Sequence, residues 1–302
     1  MQGRPTPGRP GRLETGAVAV RCAKAGFGPP GSASRAWRFL VLQAIVIMTI
    51  ACWVAGVRAQ PVVPDAGRGD AWLDQACPVP DELQYSEAEL PRLAAHLDPG
   101  RMADSPVPIV VVGAGSSAGA GLASPDDAYP ARLKDELRHR FPGLSFDVRV
   151  LARRGDRVAD MLRRLRAEVI PRRPALVVWQ IGAADAVSGV AINAFGRQVS
   201  QGIELLHGAG IDLVLLDMQY NPFTDMLINA REYRGYVRWI AKRDKVPLLR
   251  RYEMMESWAE QELIDLSSRD AGVRVRTAQT VHACVAGRLA QLIRRVVDAT
   301  PR

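Results

Sequence analysis

An apolar run, Ile109-Val110-Val111-Val112-Gly113, passes through Ala114 into a turn made only of glycine, serine and alanine: Gly115-Ser116-Ser117-Ala118-Gly119-Ala120-Gly121. A run with no polar face reads as a strand buried on both sides, which is the habit of parallel sheets covered by helices. A serine on a tight turn at the carboxyl end of such a strand is how several α/β hydrolytic folds present a nucleophile. Ser117 is the candidate.

Further apolar runs follow at 146–151, 176–181, 213–216 and 246–249. Helix-like stretches lie between and after them, at 126–140, 156–169, 192–207, 225–244, 257–267 and 283–297. Leu133, Leu137 and Phe141 make an apolar stripe of spacing four on the first of these. Short apolar strands alternating with amphipathic helices predict an α/β fold, with a parallel sheet covered on both faces. Residues 72–97 also show helical periodicity, broken at Pro91, and read as a lead-in arm.

The net charge of +8 invites a nucleic-acid reading, but its placement argues against one. Eight of the 40 basic residues and one of the 32 acidic ones lie in 1–59, so the remainder carries 32 against 31 and has no polyanion-binding field. Arg35 and Arg38 precede an apolar run over 39–57, which ends at Val57-Arg58-Ala59. This is the pattern of a secretory signal peptide cleaved near Ala59, behind a Pro/Gly/Arg-rich front. The alternative is a retained inner-membrane anchor over 39–57. Cleavage leaves a periplasmic or secreted protein with no membrane contact. Two cysteines then remain, Cys77 and Cys284, and an even pair in an oxidising compartment predicts one disulfide. The chain divides into 1–59 (front and signal peptide), 60–105 (linker and helical arm) and 106–302 (catalytic-type domain).

Gly113-Ala114-Gly115-Ser116-Ser117-Ala118 also fits the dinucleotide pattern G-x-G-x-x-A. Here, however, Gly121 to Pro125 intervene before any helix, and the second strand ends in Ala152-Arg153-Arg154 instead of an acid. That strand end lies roughly forty residues from the turn, twice the usual distance. A dinucleotide-binding protein is thus the remote alternative, and no cofactor is expected. No His/Cys/Asp/Glu cluster has metal-ligand spacing, so no metal is expected either.

Arg154-Gly155-Asp156 follows the second strand, Trp179-Gln180-Ile181-Gly182-Ala183-Ala184-Asp185 closes the third, and Asp217-Met218-Gln219-Tyr220-Asn221-Pro222 follows the fourth. With the serine turn and Tyr129-Pro130-Ala131-Arg132-Leu133, these segments resemble the SGNH/GDSL hydrolase superfamily, in an exported branch with a G-S-S-type nucleophile turn. The resemblance runs from about Pro108 to the C-terminus. It implies a flavodoxin-like three-layer α/β/α sandwich with strand order 2-1-3-4-5, and a serine esterase acting on acyl or O-acetyl esters of small molecules or glycans. It sets Ser117 as nucleophile and the backbone N–H groups of Ser117 and Gly155 as oxyanion donors. Gly182, Ala184, Asp185, Asp217 and Tyr220 would border the cleft.

The resemblance is incomplete. Ala184 stands where the family carries an asparagine donor, and losing one oxyanion donor typically costs about a hundred- to a thousandfold in rate. Two registers are open for the C-terminal acid and base. One sets His282 as base with Gln279 in place of the acid, and Gly287 following. The other pairs the branch's cysteine with Cys284 and leaves Val273 and Arg276 at the acid and base positions. Glutamine cannot stabilise an imidazolium with charge, and neither Val273 nor Arg276 can take a proton from a serine. Two functions remain: an exported ester hydrolase of reduced activity, and a non-catalytic relative that uses the cleft to bind a ligand or glycan. The sequence leaves the oligomeric state open.

Overall fold

The computed structural model describes residues 69–83, 88–98 and 105–301. The expected front and signal segment, the membrane-anchor alternative and most of the linker lie outside them.

Five parallel strands form one sheet: β1 (Val107–Gly113), β2 (Phe146–Ala152), β3 (Leu176–Gln180), β4 (Asp212–Leu216) and β5 (Leu248–Leu249). Their order is β2-β1-β3-β4-β5, as expected. Val111 pairs with Val150 on one side and Val178 on the other, and Val178 pairs in turn with Val214. Alternate residues of a strand face opposite ways, so β1 feeds two cores. Ile109 and Val111 pack with Leu176, Val178, Leu133 and Leu137 on one face. Val110 and Val112 pack with Val177, Trp179, Leu162 and Phe195 on the other. Every residue of β3 is buried, Gln180 included.

The covering helices are α1 (Gly69–Ala76), α2 (Pro91–His96), α3 (Tyr129–Arg140), α4 (Val158–Arg164), α5 (Ala183–Val187), α6 (Ile192–Gly208), α7 (Pro222–Asp225), α8 (Ala230–Arg243), α9 (Arg251–Glu260) and α10 (Ala271–Ala299). Of the boundaries that differ from expectation, three have a plain physical cause. Pro91 opens a helix instead of breaking one, because its missing N–H costs nothing in the first turn. The helix expected over 257–267 starts six residues earlier, since β5 is only two residues long and the chain turns straight into α9. The last helix starts twelve residues earlier than 283, where Asp270 accepts a hydrogen bond from the Val273 N–H. None of the residues of its first two turns is buried, so they show no apolar stripe.

The arm belongs to the same core. Leu73, Leu90 and Leu93 are buried against the face that α10 covers. A Cβ at Gly287 would come within 2.7 Å of Leu73, so α10 has a glycine where α1 makes its closest approach. Arg288, buried on α10, donates to the carbonyls of Leu73 and Cys77 at the end of α1 and pairs with Asp74. A cation bonded to the last carbonyls of a helix satisfies orphan acceptors and complements the dipole. The Cys77–Cys284 disulfide closes the same contact, with Cα atoms 5.7 Å apart across 207 residues. Among the described residues, no helix is long and apolar enough to cross a membrane.

Candidate functional site

The exit turn of β1 coils at once: the Ala118 N–H donates to the Ala114 carbonyl at 3.1 Å and the Ala120 N–H to Gly115 at 2.9 Å. This coiling sends Gly115, Ser116 and Ser117 in three directions. Ser117 folds back over the strand end, where a Cβ on Gly113 would lie 2.2 Å from its Oγ, so only glycine fits at 113. The Ser117 side chain is 2% exposed. Its Oγ lies 2.7 Å from Tyr129 Oη and 3.0 Å from Oε1 of Gln180, the last residue of β3. The same Oε1 accepts from the Ala114 N–H at 3.1 Å. Burial, partly offset by Ser117, pushes the Tyr129 phenol up to about 12, so it keeps its proton. The hydrogen bonds then run one way, Tyr129 donating to Ser117 and Ser117 to Gln180. Ser117 does stand at the exit of the third strand, but inside packed side chains.

The expected serine–histidine pair is not formed. His282 is buried on α10, and its Nδ1 accepts from the Tyr129 backbone N–H at 2.9 Å. Accepting a hydrogen bond leaves Nδ1 without a proton and puts the neutral ring's hydrogen on Nε2. The imidazole therefore caps the first turn of α3, stacked at 6.0 Å on the ring whose hydroxyl holds Ser117. Burial, with the charges of Arg251 and Arg132, lowers its pKa to about 3. Gln279 does not orient it: the amide donates to Asp127 at 3.2 Å. In the alternative register Val273 is half-buried and Arg276 exposed on the first two turns of α10.

Gly155 turns the exit of β2 with φ of 83°. Gly115 lies beside the preceding residue, where a Cβ would rest 3.7 Å from Arg154 Cγ.

The acids at the third and fourth exits are also helix caps. Both carboxylate oxygens of Asp185 lie 3.2 Å from the Val158 nitrogen, at the start of α4. Burial raises its pKa to about 6 against the pull of those backbone bonds. Gly182, with φ of 100°, bends the chain into α5, where Ala184 is half-exposed and Asp185 buried. Asp217 accepts from the Tyr252 N–H at 3.0 Å, near the start of α9. Its second oxygen has no partner among the described residues. Burial and the nearby charge of Glu253 push its pKa well up. Tyr220 is half-exposed and packs edge-on against Tyr252 at 5.1 Å.

Sequence reasoning missed three residues: Gln180, Ser116 and Arg251. Arg251 Nη1 donates to Ser116 Oγ at 2.8 Å and Nη2 to Gln219 Oε1 at 3.3 Å. The Gln180 signal was present, inside the Trp-Gln pair of the third strand, but nothing in the order of residues says which serine it meets. Trp179 and Trp258 are both core residues, bonded to Met161 and to the Pro78 carbonyl. A hollow lined by Arg92, His207, Asp212 and Lys245 lies at the opposite, amino edge of the sheet, away from every strand exit.

No curated protein sequence matches this chain. Among solved structures it is similar to TesA, with 22% identity over 59% of this chain and 97% of that one and a TM-score of 0.47. It is also similar to AlinE4, an SGNH-hydrolase family esterase, with 24% identity over 56% and 88% and a TM-score of 0.46. An Axe2 mutant, an acetyl-xylooligosaccharide esterase from Geobacillus stearmophilus, is 15% identical over 58% and 92%, with a TM-score of 0.48. The sequence model of the non-GDSL lipase-like family matches residues 76–299, a stretch that takes in every strand exit described above, and the chain belongs to that family.

Proposed function

We propose that this chain is a non-hydrolytic member of its family, exported from the cytoplasm, which keeps the cleft at the carboxyl edge of the sheet for binding. One observation carries the reading. Ser117 Oγ is held between Tyr129 Oη and Gln180 Oε1, and the histidine that would take its proton is spent on the Tyr129 N–H. An amide oxygen cannot accept a proton from serine near neutral pH, and an imidazole held at about 3 is a feeble base there. With Ala184 also unable to donate to an oxyanion, each element of acyl transfer is weakened at once. The ligand on this reading is a small molecule or glycan of the kind the superfamily acts on. The signal-like run over 39–57 and the Cys77–Cys284 disulfide support export.

The test is covalent labelling. Purified protein and its Ser117→Ala variant are incubated with a fluorophosphonate probe and, separately, with p-nitrophenyl acetate. The expected result is no serine-dependent labelling and no turnover above buffer. Labelling that disappears in Ser117→Ala would restore the esterase reading.

A further inference from the structure

Three arginines converge on one carboxylate oxygen where α8 passes the start of α9. Glu253 Oε1 accepts from Arg234 Nη1 and from Arg238 Nη1, each at 2.9 Å, and Arg250 Nη2 stands 3.5 Å from the same atom. The other oxygen, Oε2, is buried and has no partner among the described residues. Arg234 and Arg238 lie four residues apart on α8 and so share a face, while Arg250 comes straight from the exit of β5. The three end nitrogens are therefore within about twice a hydrogen-bond length of one another.

One of these arginines would suffice to tie α8 to α9, and Arg234 does so. Its guanidinium is also stacked 3.5 Å above the Tyr252 ring, which fixes it in place. Arg238 and Arg250 bring two further like charges to an oxygen already occupied, and like charges this close repel. No second carboxylate lies within ion-pair distance of any of the three among the described residues. Asp217, Asp225 and Glu256, the other acids of this corner, stand beyond it. The Glu253 side chain is 14% exposed, that of Arg250 27% and that of Arg238 39%, so the two surplus charges reach water more than the carboxylate does. Beyond Glu253, neither has a side-chain partner among the described residues, and each has donors to spare.

We propose that Arg238 and Arg250, with Arg234 beside them, bind the dianionic phosphate group of a phosphomonoester. A surplus of two charges matches a dianion, and guanidinium forks match the several oxygens of a phosphate. A single carboxylate would balance only half of that surplus. Glu253 gathers the three arginines and is a positioning residue. The site lies at the β5 edge of the sheet and rests on no part of the binding reading above.

Inorganic phosphate and phenyl phosphate are the probes, titrated into the purified full chain at about pH 8, where phosphate is a dianion. Ionic strength is held constant, acetate and chloride serve as comparisons, and calorimetry and thermal shift follow binding. Both phosphates should bind saturably and raise Tm, and acetate and chloride should do neither. Arg238→Gln and Arg250→Gln should each weaken phosphate binding about tenfold or more, the usual cost of removing a hydrogen bond to a charged group. Both positions reach solvent, so both variants should fold. Arg163→Gln, on the helix that follows β2 at the far edge of the sheet, should bind like wild type. Glu253→Ala separates a built site from a merely positive surface. It makes the surface more positive yet should weaken binding, because the arginines lose the oxygen that aligns them. The proposal is overturned if neither phosphate gives a saturable response, if acetate binds as well, or if the Arg238 and Arg250 variants bind like wild type. Binding of inorganic phosphate without phenyl phosphate would overturn the monoester, and tighter binding by Glu253→Ala would overturn the positioning.

Discussion

At the scale of single residues, the decisive fact is where one hydroxyl hydrogen goes. Ser117 donates a hydrogen bond to Gln180 and accepts one from Tyr129, so it works as a tie between the β1 turn, the end of β3 and the start of α3. Ser117→Ala leaves the buried Tyr129 hydroxyl without its acceptor and should cost about 1–3 kcal/mol of stability, read by urea unfolding. A change too small to measure would mean the tie carries no weight. His282 makes a second residue-scale prediction. In the unfolded chain its imidazole takes up a proton below about 6.5, whereas in the folded chain it stays neutral down to about 3. Its contribution to stability is therefore complete above 6.5 and is lost as pH falls through that window, at up to about 1.4 kcal/mol per pH unit. His282→Gln, which keeps an acceptor for the Tyr129 N–H, should flatten that acid limb in unfolding titrations between pH 3 and 6.5.

At the scale of elements, three side chains from the third and fourth strand exits end as helix caps or ties instead of reacting groups. Gln180 fastens the β1 turn, Asp185 caps α4 and Asp217 caps α9. A carboxylate at a helix N-terminus meets unpaired N–H groups and the positive end of the dipole, so such positions are stabilising without any catalytic part. Burial nevertheless strains Asp185. Its folded pKa of about 6 lies above the unfolded value of 3.8, so stability is greatest while the group is protonated and falls as pH rises from 3.8 to about 6. Asp185→Asn keeps an oxygen for Val158 and cannot ionise. Its unfolding free energy should overtake wild type across that window and stay ahead at neutral pH. A variant less stable than wild type at pH 7 would show that the charge on the cap outweighs its burial.

At the scale of the whole molecule, the arm and the last helix close the fold around the sheet. The 207-residue separation of Cys77 and Cys284 makes their bond the longest-range covalent constraint in the described chain. Removing it as Cys77→Ala/Cys284→Ala should lower stability by about 2–5 kcal/mol, measured by denaturant unfolding under non-reducing conditions. An unchanged midpoint would mean that Arg288 and the packing of Leu73 already hold the arm. Much of this architecture is legible in the order of residues. Five apolar runs, the helices between them and the glycine-rich exit are local patterns, and with two-sided burial they specify a parallel sheet and its exits. The superfamily resemblance added the strand order, and the family assignment agrees with it. The inward turn of Ser117, the capping role of His282 and the burial of Arg251 were not legible. Each depends on a partner far along the chain: Gln180 lies 63 residues from Ser117, Tyr129 lies 153 from His282, and Ser116 lies 135 from Arg251. Periodicity determines which face a residue takes. Which hydrogen bond a polar group then makes is settled only when distant segments pack and water is excluded, because inside a core each donor and acceptor must find a partner or leave its desolvation uncompensated.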